Sequence, residues 1–447
     1  QQVFAPVVDV NNNADNPVIN VRSYGENPAD VARFAIAFTE GLQAGGVLAT
    51  AKHFPGHGDT NVDSHRGLPV INVSRERLEK TELAPFRDLI KAGVGSVMIS
   101  HISLPQIDAT AVRPLKQAVK ASYTESEVIT EGTTTPATLS SSVIQDILQK
   151  DLNFDGLIVT DAMDMSGLTL YFDQEEAAVR ALLAGNDILL KPANADAALR
   201  GLKAAVKTGR IGVERLNQSA RKQLAWKHHL GLDKNKITSL EVIDRVVSNN
   251  ETRRLTTEIA ENAMTLVKNE ENLLPLSPAT DKRIFFLVVT NSENPNSSGT
   301  AFLRVLRQSL QNPANIDFGV IGENTLAPEV ARIVERMKRS DLVITGLYGR
   351  VRSGARNSVG LPDTGARVLR DLLQGDKPVV NISFGNPYLL KNFPQMKTYV
   401  VAYGDMASLQ RAAVRAVLGE IEFRGRLPIT IAPDAPRGTG IQTRIKN

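Results

Sequence analysis

The chain has 447 residues, of which 42% are hydrophobic, and carries a formal net charge of +4. Its length predicts two domains, and its composition is that of a folded protein, not a disordered or fibrous one. No apolar run approaches the roughly 20 residues of a membrane-spanning helix, and Lys and Arg do not form the concentrated basic face that nucleic-acid binding requires. The chain contains no Cys, which excludes disulfides and thiolate sites and mildly favours an extracytoplasmic location over a cytoplasmic one.

Up to about residue 235, short apolar segments alternate with segments of helical period. The predicted strands are 3–8, 46–51, 95–100, 156–160 and 186–190, with a weak sixth at 136–140. The predicted helices are 29–44, 75–92, 141–152, 174–184 and 195–208. This alternation indicates a parallel sheet that is covered by helices on both faces.

Polar residues follow the predicted strands repeatedly. They are Asp9, Lys52, His53, His101, Asp161 and Lys191. Barrel enzymes place their chemistry at such strand ends, so the recurrence favours an α/β fold of the (β/α)8-barrel type for residues 1–235. Six strands cannot close an eight-stranded barrel. We therefore expect at least two more strands, supplied by an upstream segment or by a separate N-terminal fragment.

Residues 236–250 are polar and are predicted to link the barrel to a second domain at 251–447. The helical segment 251–264 leads into residues 264–269, and the predicted strands of that domain are 283–290, 341–348, 377–384 and 398–403. Its predicted helices are 251–264, 299–311, 326–338, 363–373 and 406–418. This pattern indicates a layered α/β sandwich. Because the chain contains neither a G-x-G-x-x-G turn nor a Walker loop, nucleotide binding has no support.

The segment from Lys52 to His65 holds three of the six His residues of the chain, in the sequence KHFPGHGDTNVDSH. Pro and Gly predict a loop here. In that loop Asp63 stands two residues before His65, close enough to hold the imidazole in one tautomer and raise its basicity for acid or base catalysis. A solvated loop histidine is the competing interpretation.

Asp161 directly follows the predicted strand at 156–160. A carboxylate at that position can cap the next helix or can serve as a nucleophile. The following residues offer no competing nucleophile, and Thr160 and Asp164 could orient the Asp161 carboxylate.

Other polar residues have simpler interpretations. By residue type, five side chains of the loop could bind a metal ion, namely His53, His57, Asp59, Asp63 and His65. However, Pro55 and Gly56 break the helix that would align the first two, so we expect no metal. The remaining expectations are structural roles for His57 and His101, exposure for His228 and His229, and helix packing for Trp226. Lys52 is expected at the barrel mouth, where its amine could donate to substrate hydroxyls, although it and Arg22 could equally be ordinary surface charges.

These residues resemble glycoside hydrolase family 3, and specifically its β-N-acetylglucosaminidase branch. The resemblance covers nearly the whole chain and rests on segments 16–25 (NPVINVRSYG), 52–65, 155–164 (DGLIVTDAMD) and 262–276 (NAMTLVKNEENLLPL). The pattern K-H-F-P-G-H-G-x4-D-S-H is similar to that of this branch and separates it from the family's β-glucosidases. Those enzymes draw their acid/base carboxylate from elsewhere.

The resemblance implies a role for each matched residue. Asp161 would be the nucleophile, His65 the general acid/base and Asp63 its partner. Arg22, Lys52 and His53 would bind the sugar in the first subsite. One departure is that this chain lacks the family's early D-x-E-G-G segment, whose Asp grips sugar hydroxyls.

The implied activity is that of a retaining, exo-acting β-N-acetylglucosaminidase without a metal or organic cofactor. Its substrate would be a small glycan with a terminal β-linked N-acetylglucosamine, derived from peptidoglycan or chitin. Two alternatives stay open. One is a β-N-acetylglucosaminide phosphorylase, because a histidine acid/base does not repel phosphate as a carboxylate would. The other is an inactive sugar-binding protein with a degraded barrel.

Overall fold

The computed structural model describes residues 1–118, 124–237, 239–431, 433 and 435–443. The chain forms two compact units. The first comprises Gln1–Thr238 and Ser353–Arg356, and the second comprises Ser239–Arg352 and Asn357–Asn447. Among the described residues, no helix has the length and apolar character needed to cross a membrane. The predicted domain boundaries at 235 and 250 stay a prediction, and residue 238 of the predicted linker lies outside the described residues.

The first unit is a barrel-like α/β domain. Its strands are β1 (Gln2–Val3), β2 (Leu48–Phe54), β3 (Ser96–Ile99) and β4 (Leu157–Thr160). Its α-helices are α1 (Pro28–Ala44), α2 (Arg75–Lys80), α3 (Leu83–Lys91), α4 (Ser166–Thr169), α5 (Gln174–Ala184), α6 (Ala195–Lys207) and α7 (Val213–His229). Two 3₁₀ turns, at Asn20–Arg22 and Ala137–Leu139, and a π-helix at Ser142–Asp151 complete it.

The strands of the first unit are parallel and lie in the order β1-β2-β3-β4. A parallel bridge from Val159 to Ile188 continues the sheet by one position. Both faces are buried, as the continuous apolar runs predicted. Because all the strands run in one direction, their carboxyl ends lie at one edge, where the polar residues of the site meet.

Local sequence explains where the helices begin and end. The Asn27 side chain accepts hydrogen bonds from the backbone N of Ala29 and Asp30 at the start of α1, and Pro28 occupies its first position. Asp173 caps α5 in the same way, and that helix ends just before Gly185, whose φ of 126° suits glycine.

Several elements of the first unit differ from their predictions. The predicted strand 3–8 is reduced to β1 and a single bridge at Val7, since Pro6 cannot donate to the ladder. The predicted strand 186–190 is likewise only the Ile188 bridge. The weak strand 136–140 is wrong, because 137–139 turns in a 3₁₀ helix.

Two predicted helices also differ in detail. The helix 75–92 is interrupted between α2 and α3, where the side chain of Glu82 is buried and pairs with Arg77 Nη1 at 2.6 Å. The segment 141–152 is helical as predicted, but it is wound as a π-helix.

The second unit is an α/β sandwich built on six strands. These are β5 (Thr265–Asn269), β6 (Ile284–Thr290), β7 (Ile316–Ile321), β8 (Leu342–Tyr348), β9 (Val379–Ser383) and β10 (Thr398–Val401). Its α-helices are α8 (Ile243–Val246), α9 (Asn250–Ala263), α10 (Thr300–Ser309), α11 (Ala327–Lys338), α12 (Asp363–Leu373), α13 (Leu389–Asn392) and α14 (Ala407–Val417), with 3₁₀ turns at Leu240–Val242, Pro295–Ser297 and Pro313–Asn315.

The sheet of the second unit has the order β5-β10-β9-β8-β6-β7. β5 is antiparallel to β10, and the other pairs are parallel. Its core is aromatic around Phe286, Phe302, Phe384 and Tyr348, whose rings stack or meet edge to face. β7, at the edge of this sheet, was not predicted.

Candidate active site

The site is built at the carboxyl ends of the barrel strands. Lys52 and His53 lie near the carboxyl end of β2. This strand extends to Phe54 and so is longer than predicted. Asp161 follows β4, and its backbone N donates to the carbonyl of Ile99 on β3 at 2.8 Å. The main chain at the carboxylate is therefore fixed by the neighbouring strand.

The carboxylate of Asp161 accepts a hydrogen bond from the backbone N of Ala162 at 2.8 Å. Burial would raise the pKa of Asp161, but the charges of His53, His101 and His65 oppose burial and hold this pKa below its usual range. The group is therefore ionised near neutral pH, which is the state a nucleophile needs.

The residues expected to orient Asp161 have other partners. Thr160 Oγ1 accepts from the backbone N of Leu190 at 2.9 Å, and Asp164 forms an ion pair of 2.7 Å with Lys191. Lys191 itself adopts a φ of 47°, an uncommon conformation outside glycine.

The loop after β2 is held by buried hydrogen bonds. The side-chain amide of Asn16 donates to the carbonyls of His57 and Gly58 at 2.8 and 2.9 Å. A Cβ at Gly58 would lie 1.7 Å from the carbonyl oxygen of Val10, so only glycine fits there.

His57 is a structural residue of this loop, as predicted. Its Nδ1 lies 2.8 Å from Thr60 Oγ1 and its Nε2 3.0 Å from Ser64 Oγ. Burial lowers the pKa of His57 to about 4, so the ring is neutral near pH 7.

Asp63 and His65 form a dyad. One oxygen, Asp63 Oδ1, accepts from the backbone N of His65 at 2.9 Å and from its Nδ1 at 2.7 Å. The other oxygen, Oδ2, accepts from the backbone N of Gly354 at 2.7 Å. Burial would raise the pKa of Asp63, but these bonds and the charge of His65 outweigh burial and lower it. The Asp63 side chain is buried, whereas that of His65 is 26% exposed.

A second histidine–carboxylate pair, Asp9–His53, includes one of the predicted sugar-binding residues. Asp9 Oδ2 accepts from His53 Nδ1 at 2.7 Å, and His53 Nε2 lies 3.3 Å from a terminal nitrogen of Arg22. Arg22 Nη1 also donates to the carbonyl of Val18 at 2.9 Å. Burial, together with the charge of Arg22, lowers the pKa of Lys52, and the charges of Asp161 and Asp9 oppose this. Arg22, Lys52, His53 and Asp161 thus share one electrostatic environment.

His101 supports the turn that follows Asp161. Its Nδ1 lies 2.7 Å from Thr138 Oγ1 and its Nε2 2.9 Å from the carbonyl oxygen of Ala162. Its burial and its two partners agree with the structural role that the sequence suggested.

Sequence reasoning missed two participants. Asp9 was recognised only as a polar residue after a strand, since its partner His53 is 44 positions away. Gly354 gave no signal at all, because it is 291 positions from Asp63.

No group of three or more His, Asp or Glu within the described ranges is arranged to hold a metal ion. Of the five possible ligands in the loop, His57 uses both nitrogens on hydroxyls, and Asp63 binds His65 and Gly354. The chemistry available here is that of a carboxylate, an imidazole and cationic hydrogen-bond donors.

Two protein-family models match the chain. The model of the glycosyl hydrolase family 3 N terminal domain matches residues 1–225, and that of the family's C-terminal domain matches residues 264–443.

Individual relatives match over most of the chain. Beta-hexosaminidase A from Pseudoalteromonas piscicida is 30% identical, over 96% of this chain and 73% of the relative. The structure of a family 3 β-N-acetylglucosaminidase from Paenibacillus sp. FPU-7 is similar with a TM-score of 0.80 and 32% identity, over 96% of this chain and 76% of that one. A β-glucoside phosphorylase structure is similar with a TM-score of 0.81 and 27% identity, over 97% of this chain and 75% of that one.

Proposed function

Because the chain belongs to glycosyl hydrolase family 3, we propose that it is a retaining, exo-acting β-N-acetylglucosaminidase. The observation that carries this proposal is the Asp63–His65 dyad, with a hydrogen bond of 2.7 Å between Oδ1 and Nδ1, in the same unit as the ionised Asp161. The β-hexosaminidase and β-N-acetylglucosaminidase relatives support the substrate class, which is a terminal β-linked N-acetylglucosamine.

In the first step, an oxygen of Asp161 attacks the anomeric carbon while the bond to the leaving oxygen breaks. His65 supplies a proton to that oxygen. Because Nδ1 is held by Asp63, the transferred proton comes from Nε2, and the Asp63 carboxylate stabilises the imidazolium before transfer. The product of this step is a covalent glycosyl-enzyme and a free leaving group.

In the second step, His65 works in reverse. Its Nε2, now unprotonated, takes a proton from water as the water oxygen attacks the anomeric carbon and the bond to Asp161 breaks. The sugar leaves with its original β configuration, and His65 is again an imidazolium beside Asp63.

Arg22, Lys52 and His53 are proposed to bind the sugar in the first subsite. Arg22 and Lys52 offer N–H donors to hydroxyl and carbonyl oxygens. The lowered pKa of Lys52 reflects burial of its amine, which makes its hydrogen bonds to a bound sugar less exposed to competition from water.

The test is a direct comparison of aryl β-N-acetylglucosaminide with aryl β-glucoside on this chain. We expect faster turnover of the N-acetylglucosaminide than of the glucoside, and release of the β-anomer as seen by NMR. Asp161→Asn should abolish turnover of the N-acetylglucosaminide and so the release of this anomer. Faster turnover of the glucoside would overturn the assignment of substrate. Binding of N-acetylglucosamine without any turnover would instead identify a sugar-binding protein.

A phosphorylase is the second candidate, and the similarity to a β-glucoside phosphorylase favours it. The neutral form of a histidine base does not repel a phosphate dianion as a carboxylate would. Release of N-acetylglucosamine 1-phosphate in phosphate buffer would select this function. Identical product in phosphate and in a non-phosphate buffer would exclude it.

We also propose that a further segment completes the barrel, either upstream in the same polypeptide or as a separate fragment. In the described residues, β1 pairs with β2 on one side and lies at the edge of the sheet on the other. Val3, on β1, is 40% exposed. A covered edge would pair the β1 backbone and bury this side chain. Intact-mass measurement of the native protein tests this, since a mass equal to that of these 447 residues, with no bound fragment, would contradict it.

A further inference from the structure

Asp9 is a buried carboxylate that none of the roles described above uses. Its exposure is 0%, and its carboxylate accepts three hydrogen bonds. Oδ1 accepts from the backbone N of His53 at 3.2 Å and of His57 at 2.6 Å, and Oδ2 accepts from His53 Nδ1 at 2.7 Å. It therefore connects the end of β2 to the loop that follows.

The two neighbours of His53 determine its tautomer. An ionised carboxylate can only accept, so Nδ1, facing Asp9, carries the proton. A guanidinium can only donate, so Nε2, facing Arg22 at 3.3 Å, carries the lone pair. Both contacts agree on a single neutral form of the ring.

The charges are consistent with this assignment. Burial would raise the pKa of Asp9, but its interactions with His53 and His57 outweigh burial and hold that pKa at about 2. Burial lowers the pKa of His53 and outweighs the opposing interactions with Asp9, and the charge of Arg22 adds to the lowering. Near neutral pH the pair is thus a carboxylate and a neutral imidazole.

We infer that Asp9 is a positioning residue, which locks His53 as the Nδ1–H tautomer so that the Nε2 lone pair anchors the Arg22 guanidinium in the first sugar subsite. This inference rests on the proposed function, because Arg22 and His53 belong to the proposed first sugar subsite. It deepens that function by naming what holds them in the binding geometry.

The substitution Asp9→Asn separates this role from simple packing. The amide is nearly isosteric, and its oxygen can still accept from the backbone N of His53 and His57. Its NH₂ group, however, now faces His53 Nδ1 and reverses the tautomer, as an asparagine does beside a catalytic histidine. Nε2–H would then oppose the N–H groups of Arg22, and the guanidinium would be displaced.

The first measurement is the ring state of His53 in the full chain, from ¹⁵N-histidine NMR spectra at pH 7 that correlate ring nitrogens with ring protons. His53→Gln identifies the signals. We expect the Nδ1–H form in the wild type and the Nε2–H form in Asp9→Asn. An Nε2–H tautomer or an imidazolium in the wild type would overturn the inference. So would an unchanged tautomer in Asp9→Asn.

The second measurement is binding of N-acetylglucosamine by calorimetry, together with KM and kcat on the aryl glycoside. In Asp9→Asn, the opposed N–H donors of His53 and Arg22 should weaken binding of N-acetylglucosamine by about 10- to 100-fold and raise KM. The dependence of the rate on the leaving group should not change, since His65 is untouched. The matched control is Asp187→Asn, which alters a buried carboxylate that accepts from Ile158 N and Ser219 Oγ and contacts no histidine in the described structure.

Asp187→Asn should lower the melting temperature while leaving sugar binding unchanged. Equal losses of binding in the two variants would assign Asp9 to packing alone and overturn the inference. The tautomer measurement needs no sugar, so it decides the role of Asp9 even if the wild type neither binds nor cleaves an N-acetylglucosaminide and the proposed function fails.

Discussion

Asp63 Oδ1 accepts two hydrogen bonds from His65, one from the backbone N at 2.9 Å and one from Nδ1 at 2.7 Å. The two-residue spacing therefore gives a closed ring in which main chain and side chain of one residue bind the same oxygen. This geometry fixes both the rotation of the imidazole and the position of its proton. In the proposed mechanism, His65 takes the place of the second carboxylate that most retaining glycosidases use.

Loss of Asp161 should abolish turnover without unfolding the protein. We expect Asp161→Asn to lower kcat on an aryl N-acetylglucosaminide by about 10⁴-fold or more, because the amide cannot form the glycosyl-enzyme. A fluorinated N-acetylglucosamine-type trapping reagent should label Asp161 in the wild type, as read by peptide mass spectrometry. Asp155→Asn, at the exposed other end of the same motif, should keep full activity. A label on Asp164 would instead identify Asp164 as the nucleophile.

The His65 acid should matter most for leaving groups that need a proton. We expect His65→Ala to lower kcat/KM on a disaccharide by about 10³-fold and on an activated nitrophenyl glycoside far less. A plot of rate against leaving-group pKa checks this, since its slope should steepen in the variant. Parallel losses for all leaving groups would assign His65 to binding, not to proton transfer.

The Gly354 N–H should contribute to the same proton transfer. Gly354 has a φ of 83°, so Gly354→Ala strains the backbone and shifts this donor away from Asp63 Oδ2. We expect about a 10-fold loss of kcat on a disaccharide. Gly93→Ala is the matched control, because Gly93 has a φ of 86° and open space for a Cβ. A similar loss in both variants would mean that backbone strain alone is responsible.

Buried His57 should make the folded state less stable as pH falls. Its folded pKa of about 4 lies below the usual 6.5. The unfolded chain therefore binds a proton between pH 6.5 and 4 that the folded chain does not, so stability is lost on acidification across this window, by about 3 kcal/mol in total.

Denaturant unfolding at pH 7 and pH 4.5 measures this loss. His57→Gln should lower stability at pH 7 and reduce the difference between the two pH values. His228→Gln should leave that difference unchanged, since the His228 side chain is 77% exposed. An identical pH dependence in wild type and His57→Gln would refute the assignment.

The parts of the fold that the sequence predicted are those with strong local patterns. The apolar runs that became β2, β3 and β4 were recognisable because both sheet faces are buried. β7 was missed because it is an edge strand, in which Asp317 and Gly319 interrupt the apolar run and Phe318 is 40% exposed.

The candidate site follows the same rule. Asp63 and His65 are two positions apart in the sequence, and Asp161 follows an apolar strand. All three were therefore identifiable from residues and family resemblance. Asp9 and Gly354 act through partners 44 and 291 positions away, and no local pattern encodes such a distance.

The first unit is assembled from two stretches, because Ser353–Arg356 belong to it although they come more than a hundred residues after Thr238. An excised fragment ending at residue 238 would retain Asp161, Asp63 and His65 but would lack the backbone N–H that binds the second oxygen of Asp63. Residues 1–238 alone therefore do not contain the whole of the first unit, which matters when the barrel is excised or fused to another domain. A chimera that replaces everything after residue 238 also replaces a group that holds Asp63 in the proposed acid/base dyad. We expect such a hybrid, even with the proposed sugar subsite unaltered, to lose activity first on the substrates that most need a proton.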